Sequence, residues 1–189
     1  MSASRIRSLL AAVVALLGGV LLLASQTGCA QKGNTAAVSE GAPAASRRDL
    51  SNAVLDGQNL DNANLSGKPM TWAKLRSASL RRANLKQAYA AYADFTGARM
   101  VGAELEDGNF AGATLDKTDL RNANCQKANL RNASFLEADV RGAEFRGADL
   151  HGADFSTADV RGAHFQGSRY DETTRWPEGF DPAAADENE

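Results

Sequence analysis

The residues that could carry nucleophilic or acid–base chemistry are few in this sequence. It contains two histidines, His151 and His164, and two cysteines, Cys29 and Cys125. Catalysis of this kind needs a nucleophile, a base and an orienting group that converge in one cleft. Neither histidine has a serine, a cysteine or a third partner at the spacing of such a triad. We therefore expect a protein that is not an enzyme, with no catalytic residue, no cofactor and no small-molecule substrate.

Three carboxylates lie close together in the sequence, at Glu104, Glu106 and Asp107, and could in principle bind a metal ion. The chain carries the opposite charge twenty positions away. Lys86 stands twenty residues before Glu106, and Lys127 stands twenty residues after Asp107. If residues at this spacing are neighbours in space, ion pairs explain the carboxylates better than a metal site does.

The same spacing separates three triplets of the form Asp, aliphatic residue, Arg, which begin at Asp119, Asp139 and Asp159. Their charges most simply neutralise each other, and an exposed ion pair of this kind stabilises a fold by at most about 1 kcal/mol. A second interpretation is that the guanidinium groups form a row that binds an anionic polymer or lipid head groups. The arginines concerned are Arg121, Arg141 and Arg161.

Aromatic residues at this spacing are candidates for a binding surface. Trp72 and Tyr92 are twenty residues apart, and so are Pro69 and Tyr89. Exposed aromatic side chains are enriched where proteins bind their partners, so these residues could contact a partner protein or a glycan. The alternative is structural, namely that they cover an irregular start of the fold and the small residue Ala90.

From Leu50 to Tyr170 every fifth residue is apolar or aromatic, which gives 25 central residues in one unbroken register. Alanine stands two residues before 19 of them. An α-helix repeats its apolar face about every 3.6 residues and a strand about every two, so a five-residue period needs a corner in each repeat. A glycine two residues after a centre, such as Gly97 or Gly142, suits that corner because it tolerates a left-handed backbone.

Four such repeats make up a larger unit of twenty residues. Residues 138–145 read ADVRGAEF, and residues 158–165 read ADVRGAHF. Phe135 and Phe155 share this spacing. Stacked coils of four repeats would place such pairs one above the other.

The repeats resemble those of the pentapeptide repeat family, whose signature is Ala, then Asp or Asn, then Leu and two further residues. The signature occurs at Ala83-Asn84-Leu85, Ala128-Asn129-Leu130 and Ala148-Asp149-Leu150. The resemblance implies an all-β fold, a right-handed quadrilateral parallel β-helix of about six coils over residues 49–170. Near the start, Arg48, Gln58 and Lys68 replace the inward alanine. Together with Pro69, these departures predict an irregular first coil or two.

Residues 1–29 have the composition of an export signal. Arg5 and Arg7 precede an uncharged, mostly apolar stretch over residues 9–24. As a helix this stretch would span roughly 24 Å, short of the roughly 30 Å hydrocarbon core of a bilayer. An uncleaved membrane anchor is therefore the weaker interpretation.

The end of this segment, Thr27-Gly28-Cys29, resembles the bacterial lipobox. The resemblance implies that Cys29 receives a diacylglycerol and anchors the protein to a membrane of the cell envelope, facing the periplasm or the exterior. The alternative is ordinary cleavage after Ala30, which would leave a soluble protein. Lipidation would leave Cys125 as a lone thiol, which we expect to be a buried apolar residue.

The remaining segments flank the repeats. Residues 30–48 are small and polar without an apolar period, which is typical of a flexible linker. Residues 171–189 are predicted to form a cap and an acidic tail, with Trp176 and Phe180 over the last coil. The net charge of the chain is −2, and the repeats carry as many basic as acidic residues. This balance argues against a basic nucleic-acid binder and against an acidic surface that imitates DNA.

These features together predict a noncatalytic protein-interaction or structural scaffold, tethered by lipid in the bacterial envelope, with an envelope protein or a glycan as its partner. Some members of the resembled family act on DNA gyrase by imitating DNA, and a gyrase-interacting protein is the first alternative. Export and the neutral surface oppose it. The second alternative is a soluble secreted or periplasmic binding module.

Overall fold

The computed structural model describes residues 49–185, all within one compact unit, Arg47–Glu189. The predictions for the export signal, for Cys29 and for the linker fall on residues 1–48 and lie outside the described residues, as does the end of the acidic tail. Within the described range, no helix has both the length and the hydrophobicity needed to traverse a bilayer. The one helix in that range, α1, is Pro182–Ala185.

The chain from residue 51 to residue 170 repeats one local structure every five residues. Two turn residues and one inward residue precede a single residue that forms a parallel β-bridge. The first bridge joins Val54 to Lys74, and the last joins Asp154 to Arg175. All the other bridges of the described chain, like the first, join residues twenty apart. The fold is therefore a stack of coils with four repeats each, as the twenty-residue spacing predicts.

Backbone hydrogen bonds run along the stack. Each central residue donates its N–H to the following coil, as Leu75 does to the Asp94 carbonyl at 2.7 Å. The residue before it donates to the preceding coil, as Lys74 does to the Ala53 carbonyl at 2.8 Å. A third bond closes each corner, for example from the Ala53 N–H to the Leu50 carbonyl at 2.9 Å. A short repeat thus satisfies most of its own backbone groups, which leaves the outward side chains free to vary.

The second turn residue is left-handed in nearly every corner, with φ between 53° and 69°. Glycines such as Gly142 occupy this position, as the sequence predicts, but so do residues as different as Asn52 and Trp72. Thr157 is the exception among the corners of the coils. A β-branched side chain disfavours the left-handed region. In most corners the N–H of the second turn residue donates to a backbone carbonyl of the following coil. The Glu137 N–H instead donates to the Thr157 Oγ1 atom at 2.9 Å.

The inward side chains form a continuous core of alanines and central residues. Leu130 has no exposed surface. Phenylalanines stack through successive coils, and the ring centroids of Phe135 and Phe155 lie 4.2 Å apart. Cys125 is buried in the same core, and burial raises the pKa of its thiol to about 12. It is therefore an uncharged, apolar part of the packing, as the sequence predicts.

The first described coils are regular, so the prediction of an irregular start is wrong. Pro69 forms a parallel bridge with the residue twenty positions on, and its carbonyl accepts the Leu50 N–H at 2.7 Å. A proline has no backbone N–H to donate, but no hydrogen bond between the described coils is lost at Pro69. Gln58 and Lys68 take inward positions at this end of the stack and are only half-buried.

The segment that follows the last coil, residues 171–183, packs on the aromatic end of the core. Trp176 stacks on Phe155 with ring centroids 5.2 Å apart and an interplanar angle of 7°. It meets Phe165 edge-on at 4.9 Å, and Phe180 contacts the same ring at 5.7 Å. These contacts cover an apolar cross-section that would otherwise face water at the open end of the stack.

Candidate interaction surfaces

Three aromatic side chains project outward around one corner, and we call them the aromatic surface: Trp72, Tyr89 and Tyr92. The rings of Trp72 and Tyr92 are stacked, with centroids 4.6 Å apart and an interplanar angle of 13°. The three residues are 56%, 54% and 53% exposed, and Val54 on the adjoining face is 68% exposed. Among the large apolar residues of the described chain, these four and Tyr170 are the exposed ones. Exposed apolar surface is thus concentrated at this corner.

Trp72 and Tyr92 stand in a backbone conformation that large side chains avoid. The φ angle is 61° at Trp72 and 58° at Tyr92. The equivalent position is Asn52 in the preceding coil and Gly112 in the following one. The Tyr92 ring lies over Gly112, since a Cβ atom added to this glycine would come within 2.6 Å of two ring carbons. This corner therefore holds large rings where smaller residues would suffice, at a cost on the order of 1 kcal/mol each.

The structural explanation of these rings is weakened by the geometry. The described early coils are regular and need no covering. Ala90 points inward and is fully buried, whereas Tyr89 points outward and is more than half exposed. The aromatic surface therefore stays a candidate for binding.

The arginines of the three Asp–Arg triplets form ion pairs with carboxylates. Each guanidinium group pairs with the aspartate two residues before it, at 2.7 Å for Arg121, 2.6 Å for Arg141 and 2.5 Å for Arg161. The first two also lie 3.6 Å from the aspartate of the next coil. Hydrogen bonds from the arginines lower the pKa of all three aspartates, to about 2 for Asp159. The neutralisation expected from the sequence is present, which leaves these arginines little capacity for an anionic polymer.

The acidic group forms ion pairs with a lysine. Lys86 Nζ lies 3.1 Å from Glu106 and 3.5 Å from Glu104. Asp107 and Lys127 do not pair with each other in the described structure, so that prediction is wrong. Both occupy left-handed corner positions, from which their exposed side chains extend into solvent. Between residues 49 and 185 no group of three His, Cys, Asp or Glu residues could hold a metal ion.

The two histidines lie apart, and each is close to a carboxylate. His151 Nδ1 is 2.5 Å from Asp149 Oδ1. His164 Nε2 is 3.8 Å from Glu144 Oε1. These contacts lie on the outward faces of different repeats, where they fix side chains to the surface of the stack rather than assemble one reactive centre.

The structure also contains a cavity that the sequence analysis missed, at the corner of the Asp–Arg triplets. Its volume is about 440 Å³. We call it the arginine notch. Its lining residues are Asp61, Asn62, Arg81, Arg82, Val101, Asp119 and Arg121. A sequence signal was present, because the positions one coil before 119–121 read Arg99-Met100-Val101. The triplet that recurs in the later coils is absent there and begins one coil later.

The repeats of this chain match a known protein family. The model for pentapeptide repeats matches the chain in eight copies, over residues 70–107, 98–135, 108–147 and 137–167. The matched residues make up more than half of the chain. The chain belongs to the pentapeptide repeat family. Pentapeptide repeat proteins form right-handed quadrilateral β-helices, which confirms the predicted fold class, and they are generally noncatalytic scaffolds.

Several solved structures of pentapeptide repeat proteins are similar to this chain. Rfr23 from the cyanobacterium Cyanothece 51142 is 26% identical, with a TM-score of 0.44, over 68% of this chain and 91% of that one. A protein from the thylakoid lumen of Arabidopsis thaliana is 30% identical, with a TM-score of 0.35, over 57% of this chain and 71% of that one. A trypsin-treated variant of QnrB1, a plasmid-mediated fluoroquinolone resistance protein, is 23% identical, with a TM-score of 0.32, over 60% of this chain and 65% of that one. No curated protein matches the chain.

Proposed function

We propose that this pentapeptide repeat protein is a noncatalytic interaction scaffold, tethered in the bacterial cell envelope by lipid on Cys29, whose aromatic surface binds an envelope protein. The observation that carries the proposal is the stacked, exposed pair of Trp72 and Tyr92 in a backbone conformation that disfavours large side chains. Such rings stabilise the fold little while they face water. An interface that covers them would gain roughly 1.5 to 3 kcal/mol for each fully buried ring.

The shape of the surface favours a protein over a glycan as the partner. The aromatic surface lies on a convex corner with Val54 beside it, whereas small ligands are usually held in concave pockets. A partner protein can supply the concave half and enclose the rings, as happens to Trp and Tyr anchors at the centres of interfaces. We therefore commit to a protein partner, and a glycan becomes an outcome of the test.

The tether is supported by the sequence. Two or more acyl chains hold a protein durably on a bilayer, whereas one holds it only marginally. Residues 30–48 lead along the chain directly into the coils that bear the aromatic surface. A tethered scaffold meets membrane-bound partners at a raised effective concentration, so a small surface is enough for binding. Cleavage after Ala30 would instead give a soluble binding module with the same surface.

A DNA-imitating protein that acts on gyrase is a weaker proposal. Such a surface would need excess negative charge, but residues 49–170 contain 15 basic and 15 acidic residues. The aspartates of the triplets, which are the most regular acidic column, are neutralised by arginines at 2.5 to 2.7 Å. The likeness to QnrB1 is too distant to reverse this balance.

Photo-crosslinking of the full chain in intact cells tests the proposal. A photoreactive amino acid in place of Ala91, between Tyr89 and Tyr92, should give a discrete adduct with one protein. The same amino acid in place of Lys117, which is exposed at a different corner, should not give that adduct. Equal adducts from both positions would refute the proposed surface, and a carbohydrate adduct would replace the protein partner with a glycan.

A variant pair separates binding from folding. Trp72→Asn with Tyr92→Asn should remove the adduct and leave the fold intact, because Asn52 already occupies this column with a φ angle of 60°. Gln87→Asn is the matched control, since Gln87 is exposed and has a φ angle of 56° at another corner. Persistence of the adduct in the aromatic variant would show that the rings are not the binding surface.

A further inference from the structure

The column that carries the Asp–Arg triplets contains a repeated anion site. In each triplet one carboxylate oxygen of the aspartate accepts the backbone N–H and the Nε group of the arginine, and the other oxygen accepts the Nη2 group. In the last triplet, for example, Asp159 Oδ1 lies 3.3 Å from the Arg161 N–H and 2.8 Å from Nε. A corner of this column is therefore built to receive an oxyanion from the chain itself.

Asn59, Ser79 and Arg99 occupy the aspartate position in the three coils before the first triplet, and in one of these coils the backbone N–H at the arginine position has no acceptor among residues 49–185. Arg99 stands where the aspartate would be, and Val101 stands where the arginine would be. The Val101 N–H has no hydrogen-bond acceptor within residues 49–185. The short Val101 side chain also leaves room, and the arginine notch of about 440 Å³ occupies this place. This coil thus lacks the carboxylate and has a cavity at the same position.

The charges around the notch are unbalanced. The guanidinium groups of Arg81 and Arg82, which line the notch, have no ion pair or side-chain hydrogen bond in the part of the chain that the structure describes. The two carboxylates at the notch are already engaged. Asp61 Oδ1 accepts the Arg81 N–H at 2.9 Å and the Ser79 hydroxyl at 2.6 Å. The other carboxylate, Asp119, pairs with Arg121 in the first triplet.

We propose that the arginine notch binds a phosphate monoester dianion. A phosphoryl oxygen takes the place of the missing carboxylate at the Val101 N–H, and Arg81 and Arg82 supply charge-assisted hydrogen bonds. Arginine suits this role because its planar fork matches phosphate and stays charged at every physiological pH. The notch lies two corners away from the aromatic surface along each coil, so this site is independent of the proposed protein partner.

A titration of the full chain in a non-phosphate detergent, with inorganic phosphate as the probe, tests the site. The backbone amide resonance of Val101 should shift with saturable phosphate dependence. Arg81→Gln with Arg82→Gln should weaken the phosphate affinity at least about tenfold, the usual scale for losing charge-assisted hydrogen bonds. Arg161→Gln, at a guanidinium that is already paired, is the control and should change it less than about twofold. Absence of saturation, or equal weakening by the control, would overturn the proposal, as would acetate binding as tight as that of phosphate.

A second variant fills the notch and leaves Arg81 and Arg82 in place. Arg99→Asp with Val101→Arg installs the missing triplet, so the site should lose phosphate binding while the melting temperature does not fall. Phosphate binding at unchanged affinity in this folded variant would disprove the proposed position of the ligand.

The source of the phosphate is settled by two further probes. Glycerol 3-phosphate should bind if the ligand is soluble, and vesicles of phosphatidylcholine with phosphatidic acid should bind if it is a lipid head group. In either case Arg81→Gln with Arg82→Gln should reduce binding of the probe to the level seen with pure phosphatidylcholine vesicles or with buffer alone. Failure of both probes to depend on these arginines would refute the notch as a phosphate site.

Discussion

Arginines in this fold differ mainly in whether a carboxylate reaches them. Arg161 lies 2.5 Å from Asp159, whereas Arg81 and Arg82, at the same corner four coils earlier, have no such partner in the described structure. The same residue type therefore forms a stabilising ion pair in one coil and remains an unneutralised charge in another. For Arg161 and Arg81 the difference is the residue two positions before the arginine, which is Asp159 in one case and Ser79 in the other.

The Asp159→Asn variant tests the ion pair between Asp159 and Arg161. The Arg161 hydrogen bonds lower the pKa of Asp159 in the folded state to about 2, below the roughly 3.9 of an unfolded chain. A lowered folded pKa stabilises the fold above about pH 4, and this stabilisation is lost as the pH falls through about 2. The variant should therefore melt at a lower temperature than the natural protein at pH 7, and the gap should narrow towards pH 2. Glu172→Gln is the control, at an exposed carboxylate without an ion pair among residues 49–185, and a gap that stays constant with pH contradicts the assignment.

Cys125 gives a second test at the scale of one residue. In a Cys29→Ala background it is the single thiol, and burial raises its pKa to about 12. A thiol reagent at pH 8 should therefore label the folded protein far more slowly than the protein in denaturant, because only the exposed thiolate reacts. Mass spectrometry counts the labelled fraction over time. Labelling of the folded protein at the denatured rate would show that Cys125 is accessible.

The corner is the element that accepts new side chains without loss of the fold. Its backbone bonds are made within the repeat and to the neighbouring coils, so the second turn residue needs only to tolerate a left-handed backbone. Gly112 does so without strain, and Tyr92 does so with a ring that leans over Gly112. A corner can therefore become a binding element through one or two substitutions.

Substitutions at two glycines distinguish the free-energy cost of backbone strain from that of a clash with the Tyr92 ring. Gly57→Ala should cost roughly 1 kcal/mol of unfolding free energy, because φ is 65° and nothing lies near the added Cβ. Gly112→Ala, with φ of 66°, should cost more, because the Cβ would also meet the Tyr92 ring at 2.6 Å. Denaturant titration measures both. In a Tyr92→Asn background the two costs should become similar, and an unchanged difference would show that the ring does not pack on Gly112.

The contacts between coils were predictable because a solenoid converts a spacing of twenty residues into a spatial neighbour. The stack of Trp72 on Tyr92 and the pair of Lys86 with Glu106 both follow from this rule. The rule fails for Lys127 and Asp107, since corner side chains can extend away from the column. It also missed the arginine notch, because a rule based on recurring residues says nothing about a coil that does not carry the triplet. The Thr157 corner had a signal, namely a β-branched residue at a left-handed position.

At the scale of the whole molecule, stability depends on stacking between coils and on what covers the ends. Each coil contacts only its neighbours, so an uncovered end loses both hydrogen bonds and apolar burial. Trp176 lies on the last phenylalanines and supplies that cover. The prediction of an irregular start failed because inward alanines are not needed for the backbone ladder at that end.

Trp176→Ala tests the role of this cover. The loss of its stacking on Phe155 and Phe165 should lower the free energy of unfolding by about 3 kcal/mol, as large-to-small substitutions of tryptophan do. Hydrogen exchange should become faster in the last coil before it does in the first. Glu178→Ala, at an exposed position of the same segment, should have little effect. Equal effects of the two substitutions would mean that the segment does not stabilise the stack.

The tethered scaffold is tested by the location of the native protein and the chemistry of its mature N-terminus. Membrane fractionation and mass spectrometry of the natural chain should find a diacylglycerol-modified Cys29 at the N-terminus, in the membrane fraction. The Cys29→Ala variant should leave that fraction while its coils remain folded. An uncut N-terminus on a cytoplasmic protein would contradict the tethered scaffold.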